Sequence, residues 1–109
     1  YVLPKRTFET EIVKACDELN KKLPMTIDEN TRLDSTSPGP GKMITYHYTT
    51  IGLEASAFTD EVKAEVEAGV RNTVKGASDL KAFRENGIDM RYIYKLEDGT
   101  EVLQFTIDN

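Results

Sequence analysis

Hydrophobic residues near the start of the chain recur at three- and four-residue steps, the spacing of an amphipathic helix. The stripe predicts a helix from Phe8 to Leu23, with Thr7 as its N-cap and Pro24 as a stop. Its members are Phe8, Ile12, Ala15, Cys16, Leu19 and Leu23. Cys16 is the only cysteine. Its place on the stripe predicts a small buried apolar side chain rather than a reactive thiol.

Apolar and polar residues alternate in the next stretch, as in half-buried strands. Between Met25 and Thr36 the alternation predicts either one interrupted strand or two short ones. The Pro/Gly-rich run at 37–41 is expected to be a turn between antiparallel neighbours. The strongest strand pattern covers 42–51. One face of this strand carries Ile44, Tyr46 and Tyr48.

A second helical pattern begins after residue 58. Thr59 is the expected N-cap, and Gly76 the expected end. Valines step by four along one face, at Val62, Val66, Val70 and Val74. Ser78 then predicts the cap of a short third helix that carries Leu80 and Phe83.

The last stretch predicts a β-hairpin. Asp98-Gly99 is typical of a two-residue type I′ turn. Pairing outward from this turn places six apolar side chains on one face: Tyr94 opposite Leu103, Tyr92 opposite Phe105 and Met90 opposite Ile107. A register shifted by one residue would mix apolar and polar side chains, so this pairing is expected.

These elements predict an α+β fold in the order α-β-β-α-α-β-β. We expect a mostly antiparallel sheet of about four strands, with two or three helices packed on one face. Parallel βαβ winding is not expected, because both sharp turns join adjacent strands directly. The length of 109 residues predicts a single domain, 1–109.

Charge and composition exclude several functional classes. A formal net charge of −5 disfavours nucleic-acid binding, because phosphate backbones require clustered Lys and Arg. No apolar run reaches the roughly 20 residues of a transmembrane helix. No motif predicts a cofactor, and the spacing of the acidic residues matches no EF-hand loop.

Four short motifs stand out in the chain: LPMTID at 23–28, TRLDS at 31–35, PGPGK at 38–42 and YHYT at 46–49. They resemble a family of small, uncharacterised bacterial proteins, many of them exported or membrane-anchored. The resemblance implies an extracytoplasmic location, with a cytoplasmic one left open, and it implies no activity. Members often carry a cysteine where this chain has Ala77.

Polar residues that could form a site concentrate near the first strands. Asp28, Arg32 and Asp34 lie close together in sequence, and His47 is the only histidine. Paired carboxylates can bind a hard cation or share acid and base roles. Turn capping, an ion pair with Arg32 and an ordinary strand histidine are the favoured interpretations. We therefore predict no catalytic and no metal residue, and a binding surface at Asp28, Arg32, Asp34 and His47.

Two Tyr-x-Tyr pairs, at 46/48 and 92/94, predict an aromatic strip if their strands are neighbours. The strip would pack under the helices or line a shallow groove, and core packing is favoured.

Three functional hypotheses follow. The first is a non-enzymatic domain that binds a protein or envelope component through one sheet face or the 23–41 segment. The second is a divalent-metal-dependent hydrolase that uses Asp28, Asp34 and His47. The third is an acidic inhibitor or immunity-type protein, whose affinity for a basic partner would fall steeply with salt.

Overall fold

The fold is a five-stranded sheet with helices on one face. The computed structural model describes residues 5–39, 41–76 and 85–108. Within these residues the helices are α1 (Lys5–Asn20) and α2 (Asp60–Gly76), and a 3₁₀ turn forms at Ala55–Ala57. The strands are β1 (Met25–Asp28), β2 (Thr31–Pro38), β3 (Met43–Thr50), β4 (Asp89–Leu96) and β5 (Glu101–Ile107). The strand order in the sheet is β1-β2-β3-β4-β5.

The α+β class is confirmed, but two details of the predicted sheet are wrong. The sheet has five strands rather than about four, because the stretch from Met25 forms two strands, which was one of the two predicted alternatives. Asn30 N–H donates to the Asp28 carboxylate (2.8 Å) where the chain turns between them. The pair β3–β4 is parallel, whereas the other neighbouring pairs are antiparallel. The pair β3–β4 is parallel because α2, which lies between these strands in the chain, carries the chain back along the sheet.

The predicted third helix, with Ser78, Leu80 and Phe83, lies outside the described residues. The connection from α2 to β4 is therefore described only from Glu85 onward.

The C-terminal hairpin has the predicted register. Tyr94 pairs with Leu103, and the same alignment continues to the far end of the strands. All six predicted side chains belong to the core or pack against it. The turn type was wrong: Gly99 has a positive φ of 91°, but Asp98 does not, and a type I′ turn needs both. A shift in register between Tyr94 and Lys95 accommodates the altered turn.

Helix α1 packs on β2 as its stripe predicted. Ile12 and Cys16 are buried, and Leu19 packs against the same core. The end of the helix is tied to the sheet by Asn20. Its side chain accepts from the backbone N–H of Thr36 (2.8 Å), donates to the carbonyl of Thr36 (3.0 Å) and accepts from the Thr36 hydroxyl (3.1 Å). Asn20 thus pairs with β2 much as a neighbouring strand would.

Helix α2 lies over the same face but is held mainly at its C-terminal end. Thr59 caps its start, with the N–H of Val62 donating to the threonine hydroxyl (3.2 Å). Val74 is its only buried residue. Arg71 donates to the carbonyl of Thr106 on β5 (3.3 Å). The remaining valines of the stripe are only partly buried, which leaves a space under the helix.

Replacing Asn20 tests the attachment of α1. Asn20→Ala removes three hydrogen bonds and leaves buried backbone groups of Thr36 unpaired, which we expect to cost about 2–3 kcal/mol of unfolding free energy. Urea denaturation measures the loss. Asn72→Ala, at an exposed position of α2, is the matched control and should change stability by less than about 0.5 kcal/mol. Equal effects of the two substitutions would contradict the assigned role.

Candidate functional site: an apolar groove with a tyrosine floor

A cavity of about 920 Å³ lies between α2 and the sheet. We call it the tyrosine groove, because four tyrosines of β3 and β4 line it: Tyr46, Tyr48, Tyr92 and Tyr94. Ala15 and Leu19 of α1 line it as well. Its volume is at the upper end of the roughly 300–1,000 Å³ typical of ligand pockets. The surface within it is mainly apolar.

The tyrosine rings stack because β3 and β4 run parallel and in register. Tyr46 lies opposite Tyr92, with ring centroids 4.9 Å apart and planes 11° from parallel. Tyr48 lies opposite Tyr94, with centroids 4.6 Å apart and planes at 8°. Phe105 of β5 continues the stack against Tyr92 at 5.2 Å. Contacts of this kind contribute about 0.5–1.5 kcal/mol each beyond burial, so the stacking stabilises the floor of the groove.

The wall that faces this floor is α2. Val62, Val66 and Val70 project into the groove from successive turns. Between them lies Gly69, which also lines the groove. A Cβ at Gly69 would meet nothing within 4 Å. Glycine in a helix interior costs up to about 1 kcal/mol relative to alanine. Gly69 therefore lowers the stability of α2, and its missing side chain makes the groove wider.

The mouth of the groove exposes large apolar side chains. Ile27 is 52% exposed and Leu53 is 38% exposed, and both line the groove. Met25, on the same strand as Ile27, is 45% exposed. Exposed apolar residues gathered at one opening are typical of a surface that another molecule covers.

The tyrosine hydroxyls are protonated at neutral pH. Burial raises the pKa of Tyr46 to about 12. Burial, and then the negative charge of Asp28, raise the pKa of Tyr94 to about 12. Burial likewise raises the pKa of Tyr48 and of Tyr92. The floor therefore presents uncharged rings whose polar atoms are hydroxyls only.

The four predicted site residues are divided between the two faces of the sheet. Asp28 pairs with Thr31 at the end of the hairpin, and both residues line the groove. Arg32, by contrast, pairs with Thr49, on the face away from the tyrosines. Asp34 lies in the irregular part of β2 and joins that face by an ion pair with Arg32 (2.6 Å). It also accepts a short hydrogen bond from the hydroxyl of Thr49.

His47 also lies on the face away from the tyrosines, which we call the polar face, because it alternates with the tyrosines along β3. Its Nε2 is 2.8 Å from the hydroxyl of Ser37. Burial and the positive charges of Lys95 and Arg91 lower the pKa of His47, which favours its neutral form. The side chains of Arg32, Asp34 and His47 thus all make hydrogen bonds on this face of the sheet. Whether Arg32, Asp34 and His47 bind a partner stays a prediction.

The set needed for the hydrolase hypothesis does not meet in one pocket. Asp28 faces the groove, whereas Asp34 and His47 face the other side of the sheet. Within 5–39, 41–76 and 85–108, no group of three His, Cys, Asp or Glu side chains could hold a metal ion.

Sequence reasoning identified the tyrosine strip but favoured its burial in the core. Tyr46, Tyr92 and Tyr94 are indeed buried, yet they also line the groove. Gly69 was overlooked. Its signal was a glycine inside an otherwise regular helical pattern, next to the valine stripe.

The family of the chain follows from its sequence. The family model described as "Domain of unknown function (DUF8479)" matches residues 7–104. The chain belongs to this family. The predicted resemblance to an uncharacterised family is confirmed, in that the matching family has no known function. No functionally curated protein matches the chain significantly.

Solved structures with the same fold include proteins related to secretion. A candidate secreted protein from Pseudomonas aeruginosa has a TM-score of 0.84 at 14% identity, covering 99% of this chain and 95% of its own. The type II secretion system pilotin of Vibrio vulnificus has a TM-score of 0.71 at 10% identity, covering 94% and 89%. The type II secretion system pilotin of Vibrio cholerae has a TM-score of 0.68 at 12% identity, covering 94% and 90%. At these identities the likeness shows a shared fold.

No helix among the residues described is both long and apolar enough to span a membrane.

The tyrosine floor predicts alkaline destabilisation. An unfolded chain loses its tyrosine protons near pH 10, whereas folded Tyr46 and Tyr94 keep theirs to about pH 12. Since the folded state then binds more protons, stability should be constant as pH rises towards 9 and fall between about pH 10 and 12. Urea denaturation across this range measures the slope, and Tyr94→Phe should reduce it. Equal stability at pH 8 and pH 11, with the tyrosine absorbance of the folded protein changing near pH 10, would contradict the raised pKa values.

Proposed function

We propose that this chain is a non-enzymatic, extracytoplasmic bacterial domain that binds an apolar segment of a partner protein in the tyrosine groove. The observation that carries the proposal is the groove itself. Stacked tyrosines form its floor, while the valine face of α2 stays only partly buried above them. Rigid aromatic surfaces with few polar groups are typical anchoring sites of protein interfaces.

The shape of the groove favours an amphipathic segment. One side of such a segment could cover the tyrosines and valines, while its other side stays in water at the mouth near Ile27 and Leu53. Burial of these exposed side chains would supply part of the affinity, at about 25 cal/mol per Å² of apolar area.

The comparisons support the location and the class of role. The same fold occurs in a candidate secreted protein and in two type II secretion system pilotins. We infer by analogy that this domain works outside the cytoplasm, bound to a component of a secretion apparatus or of the envelope. Of the predicted surface at Asp28, Arg32, Asp34 and His47, the last three residues would form a second, polar contact area on the opposite face.

Filling the groove tests this function. Gly69→Leu adds a side chain to the groove wall and raises helix propensity, so the fold should be kept. The probe is a synthetic amphipathic helix with Leu on one face and Gln on the other. We expect wild type to bind this peptide. In Gly69→Leu the new leucine should displace at least one apolar side chain of the peptide, whose burial contributes about 1.5–3 kcal/mol, and binding should weaken by about tenfold or more. Isothermal titration calorimetry measures the affinities.

Gly76→Leu is the matched control, because Gly76 also belongs to α2 and is not among the described residues that line the groove. A Cβ at Gly76 would meet no described atom within 4 Å. Gly76→Leu should bind the probe like wild type. Absence of binding to wild type, or equal binding by Gly69→Leu and Gly76→Leu, would contradict the assignment of the groove.

A further inference from the structure

The charged residues that the structure describes in the lining of the tyrosine groove all have the same sign. Among the described residues that line it, Asp28 and Glu65 are acidic, and none is Lys, Arg or His. Both are exposed, one at the end of β1 and the other on α2. The two carboxylates therefore belong to different elements that border the same apolar surface.

The position of the Asp28 carboxylate is fixed by its own turn. It accepts the backbone N–H of Asn30 at 2.8 Å. The side chain of Asn30 in turn donates to the carbonyl of Ile51 (2.9 Å), which holds the turn against the end of β3. The charge of Asp28 also reaches the groove floor, because it adds to burial in raising the pKa of Tyr94.

Negative charge beside an apolar surface selects the charge of the ligand. A fatty acid or phospholipid would bring its own anionic group to this mouth, where carboxylates repel it. A segment with Lys or Arg beside its apolar residues would instead gain two ion pairs. The net charge of −5 would also speed the approach of such a segment.

We propose that the groove selects a basic amphipathic segment of a partner protein, whose Lys or Arg side chains pair with Asp28 and Glu65. This inference rests on the proposed function and adds the charge of the partner to it. Asp28 and Glu65 set specificity, and the tyrosine floor supplies most of the affinity.

The test compares three synthetic helical peptides of equal length and identical leucine face, which carry Lys, Gln or Glu beside that face. Calorimetry at low and at physiological salt gives their affinities for wild type. We expect the Lys peptide to bind about three- to tenfold more tightly than the Gln peptide, as two exposed ion pairs allow, and the Glu peptide to bind most weakly. The advantage of the Lys peptide should shrink as salt rises.

The double substitution Asp28→Asn with Glu65→Gln keeps the side-chain shapes and the acceptor for Asn30. It should abolish the preference of the groove for the Lys peptide over the Gln peptide. The matched control removes the same charge elsewhere, by Glu97→Gln with Glu101→Gln, at exposed residues that do not line the groove. The control should keep the preference for Lys.

The possible failures are distinguishable. If the Lys and Glu peptides bind equally and Gly69→Leu weakens both, the groove binds peptides but its charge preference is wrong. If no peptide binds wild type, the proposed function and this inference both fail. If dodecanoate binds in a manner that Gly69→Leu prevents and the Lys peptide does not bind, the ligand is a lipid and both are overturned.

Discussion

The structure depends on the parallel alignment of β3 with β4. That alignment brings two tyrosines of one strand directly opposite two tyrosines of the other, with stacked rings. The rings need this register, because a shift by one residue would turn half of them to the polar face. The same pairing requires α2 as the crossover, and α2 forms the opposite wall of the groove. One pairing thus creates both the floor and the wall.

The tyrosine groove is open because α2 is anchored unevenly. Val74 and Arg71 hold its C-terminal part to the core and to β5, whereas Val62 and Val66 stay only partly buried. A surface helix normally buries its apolar stripe. Here valines and a glycine leave the space above large aromatic rings unfilled, and bulkier residues would close it. The arrangement therefore reduces apolar burial within the chain and leaves an apolar surface uncovered.

Local pattern predicted much of this fold, and long-range geometry decided the rest. The hairpin register followed from period two and one turn signal, because Tyr92 and Phe105 must share a buried face. The α1 stripe likewise identified Ile12 and Cys16 as core. The parallel pair was missed because periodicity does not tell in which direction the chain runs when it rejoins the sheet after a helix.

The candidate site was harder to predict for two physical reasons. Periodicity tells which side chains share a face, but it does not tell how far a helix stands from a sheet, so buried and groove-lining tyrosines look alike in sequence. Proximity in sequence was also misleading: strand alternation and the irregularity between Leu33 and Ser35 direct Asp28 and Asp34 to opposite faces. The docking of Asn20 on Thr36 had no sequence signal.

The central claim is that the tyrosine face, rather than the polar face, contacts a partner segment. Nuclear magnetic resonance of the labelled domain, titrated with an amphipathic peptide, tests it most directly. The account predicts chemical-shift changes centred on Tyr48, Tyr94, Val66 and Gly69, with His47 unaffected. Changes centred on His47 and Asp34 that spare the tyrosines would contradict it.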